Sequence, residues 1–161
     1  MKKLKSSAGY LVFACLALLL TACASSQSFN TEGVNLKLKP ADAGSQAGQK
    51  VIWGGSIIDI RNLTDKTRLE VLAFPLSNNF RPDATATAQG RFIVENPGYL
   101  EPREYAPGKL ISVSGTLLSP QSGKIGDAEY LYPVVKASTI RLWKEKAKSS
   151  VRFGIGIGIH N

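Results

Sequence analysis

VIWGGSIIDIRN, residues 51–62, is the stretch whose reading decides the fold of this 161-residue chain. In an extended strand Val51 and Trp53 share one parity, and Ile58 and Ile60 share the other. Side chains alternate with period two, so a single extra residue exchanges the faces. A bulge at Gly54-Gly55 would return all four side chains to one face. A long strand coiled over glycines is how a small barrel closes.

Strand signals continue on both sides. Upstream, VNLKLKP (34–40) alternates Val34, Leu36 and Leu38 with polar residues, which predicts a short strand closed by Pro40. PADAGSQAGQK is turn-rich, with one helical turn expected to begin at Pro40. Downstream, NLTDKT makes a turn, and TRLEVLAFPL supplies a strand with Leu69, Val71 and Ala73 inward, stopped by Pro75. SNNFRPDATATAQ is a long polar connection, and GRFIVEN a third strand with Phe92 and Val94 on one side. In PGYLEPREYAPG, Glu101-Pro102 suits the start of a short helix, because proline fits the first helical position. KLISVSGTLL alternates Ile111, Val113 and Leu117 with Ser112, Ser114 and Thr116. SPQSGKIGDAE then turns the chain into YLYPVVKASTIRLW. Five strands with a short helical segment between the third and fourth give the element order of an all-β, OB-like barrel. A two-sheet sandwich of the same strands is the alternative.

The N-terminus concerns location. MKKLKSS is basic, AGYLVFACLALLL is uncharged, and the run is shorter than the ~20 residues that span a bilayer. Leu20-Thr21-Ala22-Cys23 closes it and resembles the bacterial lipobox: cleavage falls between Ala22 and Cys23, and the cysteine carries a diacylglycerol on sulfur and an acyl chain on nitrogen. An ordinary signal peptide with a nearby cysteine is the alternative. Cys15, the rival acceptor, lies mid-run and leaves with the signal, so disulfides are not expected. Ala24, where an Asp would signal inner-membrane retention, suggests onward sorting to the outer membrane. The expected organisation is a signal peptide (1–22), a lipidated N-terminus and tether (23–33), the barrel (34–144), and a basic segment with an Ile-Gly strand (145–161).

Composition narrows the partners. The chain carries a net +8; with residues 1–22 removed, 17 basic residues face 12 acidic ones, a net +5. A basic chain invites a nucleic-acid reading, but an exported, tethered protein meets anionic lipid and cell-wall polymer instead, so nucleic acid is not an expected partner. The one histidine, His160, stands next to last, which argues against a Ser-His-Asp site and a histidine zinc centre. No cofactor or metal is expected. Two carboxylates suffice for glycosidase-type chemistry, and Asp59, Glu101 and Glu104 are candidates. However, Asp59 is expected to point outward and Glu101 to cap a helix, so the expectation is a protein that is not an enzyme.

An OB barrel binds ligands on its strand 2–3 face and adjoining loops. Phe80, Arg81 and Arg91 are expected near that face, with Tyr99 and Tyr105 beyond, an arginine–aromatic surface suited to a sugar or an anionic polymer. Trp53 and Trp143 read as core. In the tail, KEKAKSSVR (144–152) is basic enough to meet anionic lipid. FGIGIGI alternates large residues with glycine and would pack on its own barrel or pair with an envelope partner.

GGSIIDIRN, LEVLAFPL, RPDATATAQGRF, GYLEPREY, ISVSGTL and STIRLW, in this order and spacing, resemble the Slp (starvation-inducible) family of outer-membrane lipoproteins, from about Gln49 to Trp143. The resemblance implies an acylated protein on the periplasmic face of the outer membrane, tied to envelope maintenance or stationary-phase stress. It also implies contact with the lipoprotein processing and sorting machinery. It carries over one residue, Cys23, as the lipid attachment site, and no active-site residue. The remaining partner expectation is an envelope protein or cell-wall glycan.

Overall fold

The computed structural model of the chain describes residues 28–144. The calls on Ala22, Cys23, His160 and the FGIGIGI tail lie outside the described residues. The chain divides into two units at Asn30/Thr31. Of the first, only residues 28–30 are described, and they carry no helix or strand. The second holds five strands: β1 (Lys50–Asn62), β2 (Lys66–Ala73), β3 (Arg91–Pro97), β4 (Leu110–Ile125) and β5 (Ala128–Trp143).

These strands close into a barrel in the order β1-β2-β3-β5-β4, with β4 returning to β1. All pairs are antiparallel except β3 with β5. Closure disposes of the sandwich alternative, because a barrel has no free edges. Alternation builds the core as expected in β2, where Thr67, Leu69, Val71 and Ala73 are buried between half-exposed neighbours. With Val51, Trp53, Ile57, Phe92, Val94, Ile111, Val113, Leu117 and Val135 they fill the interior. The Trp53 and Phe92 rings meet edge to face at 5.3 Å.

The bulge in β1 is not at Gly54-Gly55. It lies between Ile57 and Asp59 in the pairing with β2, so Ile57 enters the core and Ile58 is half-exposed. The two glycines sit where β1 passes from β4 to β2: Gly55 pairs with Ile111 on one side and Ala73 on the other. A Cβ on Gly55 would stand 1.9 Å from the Leu72 carbonyl oxygen, a separation no real Cβ shows. Strong coiling brings backbones this close, and only glycine admits it.

Three further expectations change. VNLKLKP forms no strand beyond an isolated Val34–Lys50 bridge; Leu36 and Lys37 are exposed, so nothing fixes an extended register there. The helical turn does fall where expected, at Pro40–Asp42. Glu101-Pro102 opens only one turn, in which the Glu104 and Tyr105 amides donate to the Glu101 carbonyl. SPQSGKIGDAE is not a loop either: β4 runs through it to Ile125 and turns only at Gly126-Asp127. The resulting long β4–β5 hairpin reaches over the outer face of β3, where Ile93, Tyr132 and Val134 make a second small core with Leu118, Ile125 and Tyr130.

Candidate functional site

Outward-facing residues of β5 alternate with its core residues, which places Arg141 and Trp143 on the outer surface beside Ser112 of β4, the register partner of Arg141. The 74–90 connection between β2 and β3 crosses outside β1 here, its Leu76 and Pro82 close over Gly54. A tight turn at Ser77–Arg81 brings Phe80 and Arg81 onto the same surface. Ser77 holds that turn: its amide donates to the Arg81 carbonyl at 2.9 Å and its carbonyl accepts the Phe80 amide at 2.8 Å. Phe80 adopts φ +65°, the one non-glycine residue in the left-handed region among the described residues. Such a conformation costs of order 1–3 kcal/mol and persists where surroundings over-determine it. Here the determinant is a relay: the Trp143 indole N–H donates to Ser112 Oγ at 2.8 Å, and the fully buried Ser112 hydroxyl donates to the Phe80 carbonyl.

The relay fixes the Trp143 ring, and two guanidiniums stand over it. Arg81 Cζ is 5.3 Å from the ring centroid and Arg141 Cζ 5.2 Å. Each contact is worth roughly 0.5–1 kcal/mol at an exposed site. Backbone carbonyls orient the same groups: Arg81 Nη2 donates to Lys144 O at 3.2 Å, and Arg141 Nη1 to Asn79 O at 3.5 Å. Arg81 forms no ion pair among the described residues. Two like charges are thus gathered on one aromatic ring, in a planar geometry that matches carboxylate or phosphate oxygens.

The other predicted site residues go elsewhere. Arg91 lies on the outer strand 2–3 face, where it meets Glu70 at 2.8 Å and Glu70 also accepts the Tyr132 hydroxyl at 3.1 Å. The hydrogen bond to Glu70 holds the Arg91 guanidinium above its ordinary pKa, burial opposing it. Burial, with Glu70 beside it, pushes the Tyr132 phenol up. This face, where an OB barrel offers its ligand surface, is partly covered by the chain's own hairpin. Tyr99 is 66% exposed in the β3–β4 connection and donates to Glu101 at 3.2 Å. Tyr105 packs against the main core, and burial raises its pKa. The structure therefore joins Phe80 and Arg81 but separates them from Arg91, Tyr99 and Tyr105.

Trp143, expected in the core, instead lies half-buried on the outer surface, because its parity on β5 is opposite to that of Ile140 and Leu142. It, Arg141 and Ser112 were missed as site residues. Their signal was available, since Arg141 and Trp143 are two apart on one strand face, but nothing local brings Arg81 to them. As for carboxylates, Asp59 and Glu70 are register partners across β1 and β2 in an open cleft. Asp59 is held by Arg61 at 2.8 Å, and Glu70 by Arg91 and Tyr132. Glu101 and Glu104 lie on the turn after β3, apart from both. Among the described residues no three His, Cys, Asp or Glu side chains gather as metal ligands, and no helix is long and apolar enough to cross a membrane.

Strand order defines a small OB-type barrel, and the arginine–tryptophan patch gives it a cationic surface. The chain belongs to the outer membrane lipoprotein Slp family, whose model matches residues 20–156. An uncharacterized protein of Haemophilus influenzae is 40% identical over 91 residues, 56% of this chain and 49% of that protein. In Escherichia coli, the uncharacterized lipoprotein YeaY is 31% identical over 60% of this chain and 49% of its own length. The Outer membrane protein Slp of the same organism is 31% identical over 62% of this chain and 53% of its own length. The chain thus spans about half the length of the curated relatives it matches. Similar solved structures include Rim1, a mitochondrial single-stranded DNA binding protein of S. cerevisiae, with TM-score 0.39 and 15% identity over 62% of this chain and 98% of that one. A small single-stranded DNA-binding protein from Streptomyces coelicolor gives TM-score 0.39 and 17% identity over 59% and 94%. The barrel assignment rests on the strand order itself, and the location expected from sequence, the outer membrane, is that of the family.

Proposed function

We propose that this protein is a non-catalytic lipoprotein on the periplasmic face of the outer membrane, where it holds an anionic cell-wall glycan beside the bilayer during envelope maintenance and stress. Residues 1–22 are removed by the lipoprotein processing machinery, Cys23 carries the acyl chains, and 23–33 serve as tether before the barrel of 34–144. One acyl chain binds a bilayer marginally; two or three make attachment durable. The observation that carries the binding reading is the pair of guanidiniums over Trp143, with no carboxylate on Arg81 among the described residues. Peptidoglycan offers the matching chemistry in its stem-peptide carboxylates. Nucleic acid, which an OB barrel and a basic chain suggest, is not a partner in this location.

Purified full-length protein mixed with peptidoglycan sacculi should co-sediment, and raised salt should release it. Arg81→Ala and Arg141→Ala should each weaken binding about tenfold, the scale of one charge-assisted hydrogen bond. Binding indifferent to both substitutions would overturn the glycan reading. Cys23→Ser should separately release the protein from membranes; continued sedimentation at the processed size would overturn the anchor.

A further inference from the structure

A second surface lies on the other side of the 74–90 connection. Residues 36–40 form one wall of a groove of about 570 Å³ and residues 74–80 the other, with Ile52, Trp53 and Ala73 at its floor. That volume falls within the roughly 300–1,000 Å³ of small-molecule sites. Ile52 and Trp53, nearly buried, close the bottom; Phe74 and Leu76 add apolar surface, Ser77, Asn78 and Gln89 add polar groups along the walls, and Leu36 on the rim is 57% exposed. Leu63 and Leu131 are nearly as open as Leu36, but Leu36 alone of the three lines this groove. The rim is charged with one sign: Lys37 and Lys39 line it, and no carboxylate does. The Trp53 indole N–H is already satisfied by the Leu38 carbonyl at 2.7 Å, so the trough offers an occupant no polar handle at its floor.

We propose that this groove takes one acyl chain of an anionic phospholipid, with Lys37 and Lys39 meeting the phosphate. An apolar floor beneath a basic rim fits an amphiphile whose negative head sits at the mouth and whose chain lies inside. A soluble glycan lacks the apolar body, and an apolar peptide lacks the charge. The supply of lipid rests on the Cys23 anchor: the groove wall begins 13 residues after that cysteine, a tether of at most about 45 Å. The groove shares the Ser77–Phe80 turn with the arginine–tryptophan patch, but Leu36, Lys37 and Lys39 belong to it and not to the patch, and it does not depend on the glycan reading.

Trp143→Phe leaves Trp53 as the one tryptophan of the chain and so makes the groove visible by fluorescence. Because it also removes the Trp143 N–H from the relay to Phe80, each titration is repeated in the chain that keeps Trp143, where the two lipids should rank in the same order. Full-length protein of this background, in detergent micelles, is titrated with phosphatidylglycerol or phosphatidylcholine carrying dibrominated chains, which quench a tryptophan in contact with them. Phosphatidylglycerol should quench Trp53 at lower mole fraction than phosphatidylcholine. Leu36→Glu should weaken quenching about tenfold while leaving circular dichroism unchanged. Lys37→Glu with Lys39→Glu should erase the headgroup preference. In Cys23→Ser protein quenching should persist, even as sedimentation with membranes is lost, which keeps groove and anchor distinguishable. Quenching that ignores Leu36→Glu, makes no headgroup distinction, or vanishes with Cys23 would mean that Trp53 reports only the surrounding micelle, and the proposal would fall.

Discussion

Gly55→Ala probes the crossing on which the barrel depends. The added methyl carbon would sit 1.9 Å from the Leu72 carbonyl oxygen and 2.7 Å from its carbon, both backbone atoms that no rotamer change can move. A carbon–oxygen contact needs about 3.3 Å, so β2 would have to withdraw by roughly 1.4 Å. Ladder bonds at this point, such as Phe74 N to Gly54 O at 3.0 Å, would then stretch past any useful length. Two lost ladder bonds cost about 1 kcal/mol each, and overpacking adds about 1–3. Restricting the unfolded chain gives back about 0.4–1 kcal/mol. The expected net loss is about 2–4.6 kcal/mol, or a fall in Tm of about 8–18 °C for a domain of this size. Urea titration of the full-length Cys23→Ser protein, followed by circular dichroism with and without Gly55→Ala, measures it. A loss below about 0.5 kcal/mol, the range of ordinary surface changes, would refute the close approach.

Thr67→Val should destabilise by about 1–3 kcal/mol. The buried Thr67 hydroxyl joins Asn62, the Gly98 carbonyl and the Leu100 amide, and valine strands them; a urea midpoint unchanged from wild type would refute this. Ser112→Ala should cost a similar amount and shift tryptophan emission, because the Trp143 N–H and the Phe80 carbonyl both lose their partner; an unchanged spectrum would contradict the relay. Tyr132 releases its proton at higher pH in the fold than in the unfolded chain, where a phenol titrates near 10. The folded state therefore holds the proton more tightly. This contribution is complete below about pH 10 and is lost as pH rises through the folded value. Urea midpoints should fall above about pH 10, with Tyr132→Phe flattening the decline; stability that rises there would reverse the sign.

Local pattern made most of the barrel legible. Period-two alternation identified the inward residues of β2, β3 and the first part of β4, since in each of those strands one parity of side chains points into the barrel. The element order then pointed to an OB-type barrel. The errors fell where alternation is uninformative. VNLKLKP alternates yet lacks a partner along most of its length. The hairpin beyond Leu118 reads as turn-rich because its residues pack on an outer face of β3 that local sequence does not reveal. Gly54-Gly55 was rightly marked as special, but its role is close approach between strands, with the bulge displaced to Ile57–Asp59.

For the site, the sequence by itself determined the composition: the arginines, the tryptophans and the near absence of histidine, together with the family's motif series. Only tertiary structure decided which of these meet. Arg81 lies 62 residues before Trp143 and stands over its ring, whereas Arg91, ten residues after Arg81, turns to Glu70 on another face. Closing a sheet into a barrel fixes neighbours by register between strands, and register is set by bulges and backbone crossings. A side chain's parity can be read along one strand, but the ring or carboxylate opposite it belongs to a strand elsewhere in the chain.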